Sequence, residues 1–210
     1  YSMLLIPEFS TYVAQKNYKA IHYISNKIFK FTCSFSVCVS SIFLFFANDL
    51  GLVIYNNLET GFYFKVLAPL VFFMYMDHII DCILKGLNKQ FGVMCCNILD
   101  LSITTCFIYF LLPVLGINGY ILSILFSEIL NFSVSLFQLI KYSKIKINFL
   151  DWIIIPLFCS FTSYFVIIIF HFNFVSLIFN LVFNILFFIL IFLCCFFTIN
   201  KLIYKKIVRK

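Results

Sequence analysis

The chain reads as an all-α, multi-span transmembrane helical bundle, on three observations. Its 210 residues are 64% hydrophobic and 11% charged, whereas soluble domains run near half apolar and about a quarter charged. Six apolar stretches are long enough to cross a hydrocarbon core of about 30 Å, which takes roughly 20 helical residues. Fourteen of the fifteen Lys and Arg residues fall in four clusters: Lys16/Lys19/Lys27/Lys30, Lys85/Lys89, Lys141/Lys144/Lys146 and Lys201/Lys205/Lys206/Arg209/Lys210. The loops at the other ends, around Asp49 to Thr60, Pro113 to Gly119 and His171 to Asn173, carry no Lys or Arg. Cytoplasmic loops retain these residues. The pattern predicts a multi-pass protein of the cytoplasmic (plasma) membrane with its C-terminus inside. The net charge of +7 then belongs to juxtamembrane loops facing anionic headgroups, so nucleic acid is not an expected partner.

Residues 1–30 are expected to hold two objects. Tyr1-Ser-Met-Leu-Leu-Ile-Pro7-Glu-Phe-Ser10 lacks the basic and small-residue signals of a signal peptide, and reads as the tail of a span whose beginning is missing. On that reading the chain is a fragment or the product of a truncated gene. From Gln15 to Lys30, Tyr18, Ile21, Ile24 and Ile28 recur at helical spacing opposite Lys16, Lys19, Asn26, Lys27 and Lys30. This predicts an amphipathic linker on the cytoplasmic surface, with a soluble loop helix as the alternative.

Four transmembrane helices are expected within residues 31–140. Phe31 to Ala47 carries Ser36 and Ser40 at a spacing that suits close helix packing. Phe62 to Leu84 holds Pro69 and should kink there. Phe91 to Leu112 and Tyr120 to Ile140 form an antiparallel hairpin through Pro113 to Gly119. Residues 141–200 add two more spans, Leu150 to Phe170 and Phe174 to Ile199, joined at His171-Phe-Asn173, with Trp152 expected at the interface. Residues 201–210 are a basic cytoplasmic tail. The 31 Phe residues are spread through every span and read as lipid-facing bulk.

Acidic residues within the spans mark the inward faces, because a charge at a helix centre costs on the order of 2.5–3.5 kcal/mol. Ser123, Ser127, Glu128, Asn131, Ser135 and Gln138 fall within one arc of about 140° at 100° per residue. Asn97, Asp100 and Thr104 share a face of the preceding span. The two stripes either line a common water-filled groove or tie helices together by hydrogen bonds. Asp77, Asp81 and Lys85 lie at i, i+4, i+8 with His78 beside them. They read either as a proton or cation relay or as an interfacial helix pair. Lys65 snorkels outward or attracts an anionic headgroup.

Nothing points to an enzyme. His22, His78 and His171 lie in separate segments, and no G-x-S-x-G or H-E-x-x-H occurs. The nine cysteines lie in the apolar segments without metal-ligand spacing. No catalytic residues, cofactor or metal site are expected.

Leu5-Ile-Pro7-Glu-Phe-Ser10, Ile83-Leu-Lys-Gly86-Leu-Asn-Lys89 and Tyr109-Phe-Leu-Leu-Pro113-Val-Leu-Gly116-Ile-Asn-Gly119-Tyr-Ile resemble the C-terminal half of the polysaccharide-biosynthesis members of the multidrug, oligosaccharidyl-lipid and polysaccharide flippase superfamily. The resemblance implies two six-helix lobes around a central cavity, often with two extra C-terminal helices. This chain would supply part of the second lobe and the two extras, with the N-terminal lobe absent. It further implies transport of a lipid-linked cell-wall, spore-cortex (sporulation) or other polysaccharide precursor, such as a peptidoglycan precursor, by alternating access. The partners would be the bilayer, that lipid-linked oligosaccharide and the missing lobe. Asn97, Asp100, Thr104, Ser123, Ser127, Glu128, Asn131, Ser135 and Gln138 would line the cavity, with Asp77, Asp81 and His78 as coupling residues. A cation-coupled multidrug exporter of the same superfamily, and a non-transporting subunit or gene remnant, are the alternatives.

Overall fold

The computed structural model describes residues 2–143, 150–170 and 176–208. Among them all regular structure is helical. After a 3-10 turn at Ser2–Leu4 come α1 (Leu5–Ala14), α2 (Tyr18–Phe45), α3 (Ala47–Tyr55), α4 (Leu58–Gly86), α5 (Gln90–Leu115) and α6 (Ile117–Ser143). A π-helical turn at Leu150–Ile154 precedes α7 (Ile155–Phe170), and α8 (Leu177–Val208) closes the chain. Six segments are long and apolar enough to cross a membrane: Tyr18–Phe45, Leu58–Gly86, Gln90–Leu115, Ile117–Ser143, Trp152–Phe170 and Leu177–Leu202. The expected connection at His171-Phe-Asn173, the basic residues Lys144, Lys146, Arg209 and Lys210, and Tyr1 lie outside the described residues.

The chain forms two compact units. One joins Tyr1–Thr32 to Leu70–Ile147, and the other joins Cys33–Pro69 to Asn148–Lys210. The first unit therefore holds α1, the start of α2, the end of α4, and α5 and α6. The second holds the remainder of α2 and α4 together with α3, α7 and α8.

In the first unit α1 ends where Lys16 turns left-handed (φ 54°), and Asn17 restarts the helix by accepting from the Ala20 N–H at 3.1 Å. No Gly or Pro follows before Phe45. The stretch expected as a surface linker is therefore continuous with the first span, in one helix of 28 residues or about 42 Å. Ile21 and Ile28 are buried while Tyr18 is exposed, so most of the apolar stripe faces protein. Helix α1 sits against Gly86, where an added Cβ would come within 2.6 Å of Phe9 Cβ. Ser10 Oγ donates to the Gly86 carbonyl at 3.3 Å.

The α5–α6 hairpin is tighter than its Pro and Gly residues predict. Helix α5 continues through Pro113 to Leu115, and α6 begins at Ile117. Gly116 alone separates them, at φ 58° and ψ −137°, a region open essentially to glycine. Gly119 then lets α6 pass against the Leu111 carbonyl, leaving no room for a side chain.

In the second unit the loop expected over Asp49 to Thr60 contains α3. Asn56 ends it in the left-handed conformation (φ 52°), and Asn57 Oδ1 caps α4 by accepting from the Glu59 N–H at 2.8 Å. Gly51 and Gly61 bring α3 and α4 into backbone contact: a Cβ on Gly51 would stand 2.7 Å from the Gly61 nitrogen. Ser40 Oγ donates across to the Ala68 carbonyl at 2.7 Å. Helix α4 runs unbroken through Pro69.

The core of this unit is aromatic. Phe45 stacks on Tyr164 at 4.0 Å and 6°, and Phe188 meets Phe46 edge-on at 6.0 Å. Phe188, Phe192 and Phe196 stack up one side of α8. Phenylalanine is thus more than lipid-facing bulk: Phe158, Phe161 and Phe165 face outward, but Phe9, Phe29, Phe188 and Phe192 are among the largest fully buried side chains. Trp152, expected as an interface anchor, is 5% exposed and packs inside the protein.

Gly119→Ala is expected to destabilise the solubilised protein by about 1–3 kcal/mol, because the new methyl drives α6 off the Leu111 carbonyl. Gly116→Ala meets open space and costs about 1–2 kcal/mol through its backbone conformation alone. Denaturant unfolding in detergent micelles measures both. An unchanged midpoint for Gly119→Ala contradicts the close approach.

Candidate functional site

The polar residues of α4, α5 and α6 meet within the first unit because helical periodicity stacks them on facing sides. On α6, Ser123, Ser127, Asn131 and Ser135 repeat every four residues and Gln138 follows three later. Ser123, Ser127 and Ser135 are fully buried. Ser127, Asn131, Ser135 and Gln138 each face a partner on α4 or α5.

From the basic end inward, Gln138 Nε2 donates to Cys96 Sγ at 2.9 Å, and Gly92 makes room for its amide. Ser135 lies beside the Asp77 carboxylate. Asn131 Nδ2 donates to Asp77 Oδ2 at 3.0 Å. Ser127 Oγ donates to Asp100 Oδ1 and lies against Thr104 Oγ1. Thr104 also donates to the Asp100 backbone carbonyl at 2.8 Å. Ser123 Oγ returns to the Gly119 carbonyl of its own helix at 2.7 Å. Between α4 and α5, Asn97 Nδ2 donates to Asp81 Oδ2 at 3.3 Å, and Lys85 Nζ stands 3.9 Å from the same oxygen.

The structure thus brings Asp77, Asp81, Asn97, Asp100, Thr104, Ser127, Asn131 and Ser135 into one seam, with Gln138 at its end. Glu128 does not join it. It is half-buried, has no hydrogen-bond partner among the described residues, and feels the negative charges of Asp100 and Asp77. His78, adjacent to Asp77 in sequence, is on the exposed side of α4, within electrostatic range of Asp77 and Asp81. Lys65 is exposed on the part of α4 belonging to the second unit.

A cleft of about 90 Å³ opens between α5 and α6, with Cys96, Asp100, Ser127 and Asn131 among its lining residues and Leu99, Ile103, Leu130 and Val134 completing it. Asp100 and Ser127 turn their polar atoms into hydrogen bonds with each other, so the wall is nearly all apolar. Four acceptors in the seam keep unused capacity: Asp77 Oδ1, Asp81 Oδ1, Asn131 Oδ1 and Gln138 Oε1 are buried and take no hydrogen bond from the described residues. Among the described residues no group of His, Cys, Asp and Glu is placed to hold a metal ion. Among the described residues the cysteines form no disulfide. Cys96 is the seam member that sequence reasoning missed; its position four residues after Gly92 and beside Asn97 was the available signal.

Six apolar helices and a hydrogen-bonded polar seam define a multi-pass helical membrane protein. No protein-family model matches the chain, and no solved structure matches it. Among curated proteins it is similar to stage V sporulation protein B of Bacillus subtilis (strain 168), 28% identical over 132 residues. That stretch is 61% of this chain and 25% of the relative, so the chain spans about a quarter of the protein it matches.

Ser127→Ala is expected to destabilise the protein by about 1 kcal/mol, since it strips a donor from the half-buried Asp100 carboxylate. Ser133→Ala serves as the control, because that exposed hydroxyl bonds only to the Ile129 carbonyl of its own helix, and should change nothing measurable. Equal effects in micelle unfolding experiments contradict the seam.

Proposed function

We propose that this chain forms the second lobe, plus two additional C-terminal helices, of a membrane transporter. Its substrate is a lipid-linked polysaccharide or cell-wall precursor, the spore-cortex precursor included, which crosses the cytoplasmic membrane by alternating access. The observation that carries this reading is the polar seam of α4, α5 and α6. Three carboxylates at membrane depth are costly to keep unless they face protein, water or a partner, and a lipid-facing scaffold has no use for them. The similarity to stage V sporulation protein B over about three-fifths of the chain supports the same reading, and the name of that relative supports a role in sporulation.

In this reading the substrate passes between this lobe and an N-terminal lobe. Asp100, Glu128 and the α6 stripe belong to the wall that the second lobe contributes, and Glu128, which has no hydrogen-bond partner among the described residues, faces the passage. The activity is transport and not catalysis. The basic clusters and the C-terminus lie on the cytoplasmic side of the plasma membrane. Half a passage cannot open alternately to two sides, so transport requires both lobes.

A second reading, a cation-coupled exporter, rests on the buried acceptors at Asp77 Oδ1, Asp81 Oδ1 and Asn131 Oδ1. Oxygen atoms with unused lone pairs at that depth suit a proton or a hard monovalent cation.

Reconstituted in proteoliposomes, the two-lobe protein should translocate a fluorescent lipid-linked oligosaccharide. Asp100→Asn should slow this about tenfold, equivalent to about 1.4 kcal/mol of barrier. Translocation by this lobe alone overturns the two-lobe requirement, and efflux of small organic cations driven by a proton or sodium gradient, abolished by Asp77→Asn, favours the exporter. Reporter fusions after Asn56 and Lys144 should report outside and inside respectively; the reverse pattern rejects the topology.

A further inference from the structure

We propose that the end of the α5–α6 hairpin where Lys89, Lys141 and Tyr142 meet is a binding site for the phosphate of an anionic phospholipid headgroup, separate from the polar seam. Lys89 Nζ stands 4.6 Å from the centre of the Tyr142 ring, and Lys141 Nζ stands 5.9 Å from the same centre. The two ammonium groups are therefore within about 10.5 Å of each other, roughly a Debye length in physiological salt. Both lysines and the tyrosine are exposed. The ring attracts each cation through its face, by about 0.5–1 kcal/mol at exposed sites, and so gathers two like charges that would otherwise spread apart.

No carboxylate among the described residues forms an ion pair with either lysine. Among the described residues the one ion pair is Lys85 with Asp81, and Asp81 is buried and already accepts from Asn97. Two cations over one aromatic ring, at the end of two membrane-length helices, are open to a counter-charge from outside the chain. The surface there is a leaflet, and the anion a leaflet offers at that depth is the phosphodiester of a headgroup. A lysine supplies it with a compact charge and three donors. Tyr142 is a positioning residue, because its ring centre lies within 5.9 Å of both ammonium groups.

The test uses the protein in nanodiscs of phosphatidylcholine or of phosphatidylcholine with phosphatidylglycerol, with retained lipid counted by native mass spectrometry. Phosphatidylglycerol should be retained preferentially, and Lys89→Ala and Lys141→Ala should each lower the preference about fivefold, as expected for about 1 kcal/mol per basic residue near an anionic surface. Tyr142→Leu, which keeps both charges, should also lower it, while Tyr142→Phe should not. The double variant Lys19→Ala/Lys27→Ala removes two charges from exposed positions on α2 and should lower the preference less than Lys89→Ala or Lys141→Ala does alone. An equal loss in that control reduces the effect to general surface charge and overturns the site. Competition by inorganic phosphate at millimolar concentration overturns the lipid as its source. If transport fails in every lipid while the preference persists, the flippase reading falls and this site stands.

Discussion

A carboxylate facing lipid tails has no partner at all, and Asp77, Asp81 and Asp100 are placed where that would be their fate. This constraint orders the first unit. Each acid recruits a donor from another helix, so Asn131 and Ser127 of α6 and Asn97 of α5 must be at fixed depths and on fixed faces. Hydrocarbon supplies no hydrophobic force between helices, which leaves such bonds, and the close packing at Gly92 and Gly119, to determine how α5 and α6 register.

The second unit solves the same problem with different chemistry. Its hydroxyls are largely spent inside their own helices: Ser160 and Ser163 of α7 donate to carbonyls three and four residues earlier, and Asn184 bonds Asn180 along α8. Ring packing and dispersion hold the helices together, through Phe45, Phe46, Tyr164, Phe188 and Phe192. Polar ties between its helices include Ser40, whose bond to the Ala68 carbonyl joins α2 to α4, and Thr162, whose hydroxyl donates to Cys195 Sγ of α8 at 3.9 Å. A unit built this way is suited to scaffolding, whereas the acids of the first unit supply groups that can answer a charged substrate or ion.

Helix glue and passage wall are compatible roles for the α6 stripe. Hydrogen bonds between Ser127, Thr104 and Asp100 use one side of each group, and the spare oxygens of Asp77, Asp81, Asn131 and Gln138 remain within the same seam. The seam is thus bonded on one edge and keeps unused acceptors on the other.

Composition and span lengths determined by themselves that the chain is a bundle of apolar, membrane-length helices, and about where those helices fall. Those properties depend on transfer from water to hydrocarbon, which each residue carries locally. The inward faces were legible too, since a period of 3.6 residues places Ser127 and Asn131 together whatever surrounds them. Which acid met which donor was not legible, because Asp77 and Asn131 are 54 residues apart and depend on how three helices rotate about their axes. For the same reason the sequence could not show that Glu128 stays outside the seam, that Cys96 enters it, or that Trp152 and Phe188 turn toward protein. An apolar or aromatic side chain suits lipid and core equally, and only the packing of neighbouring helices decides between them.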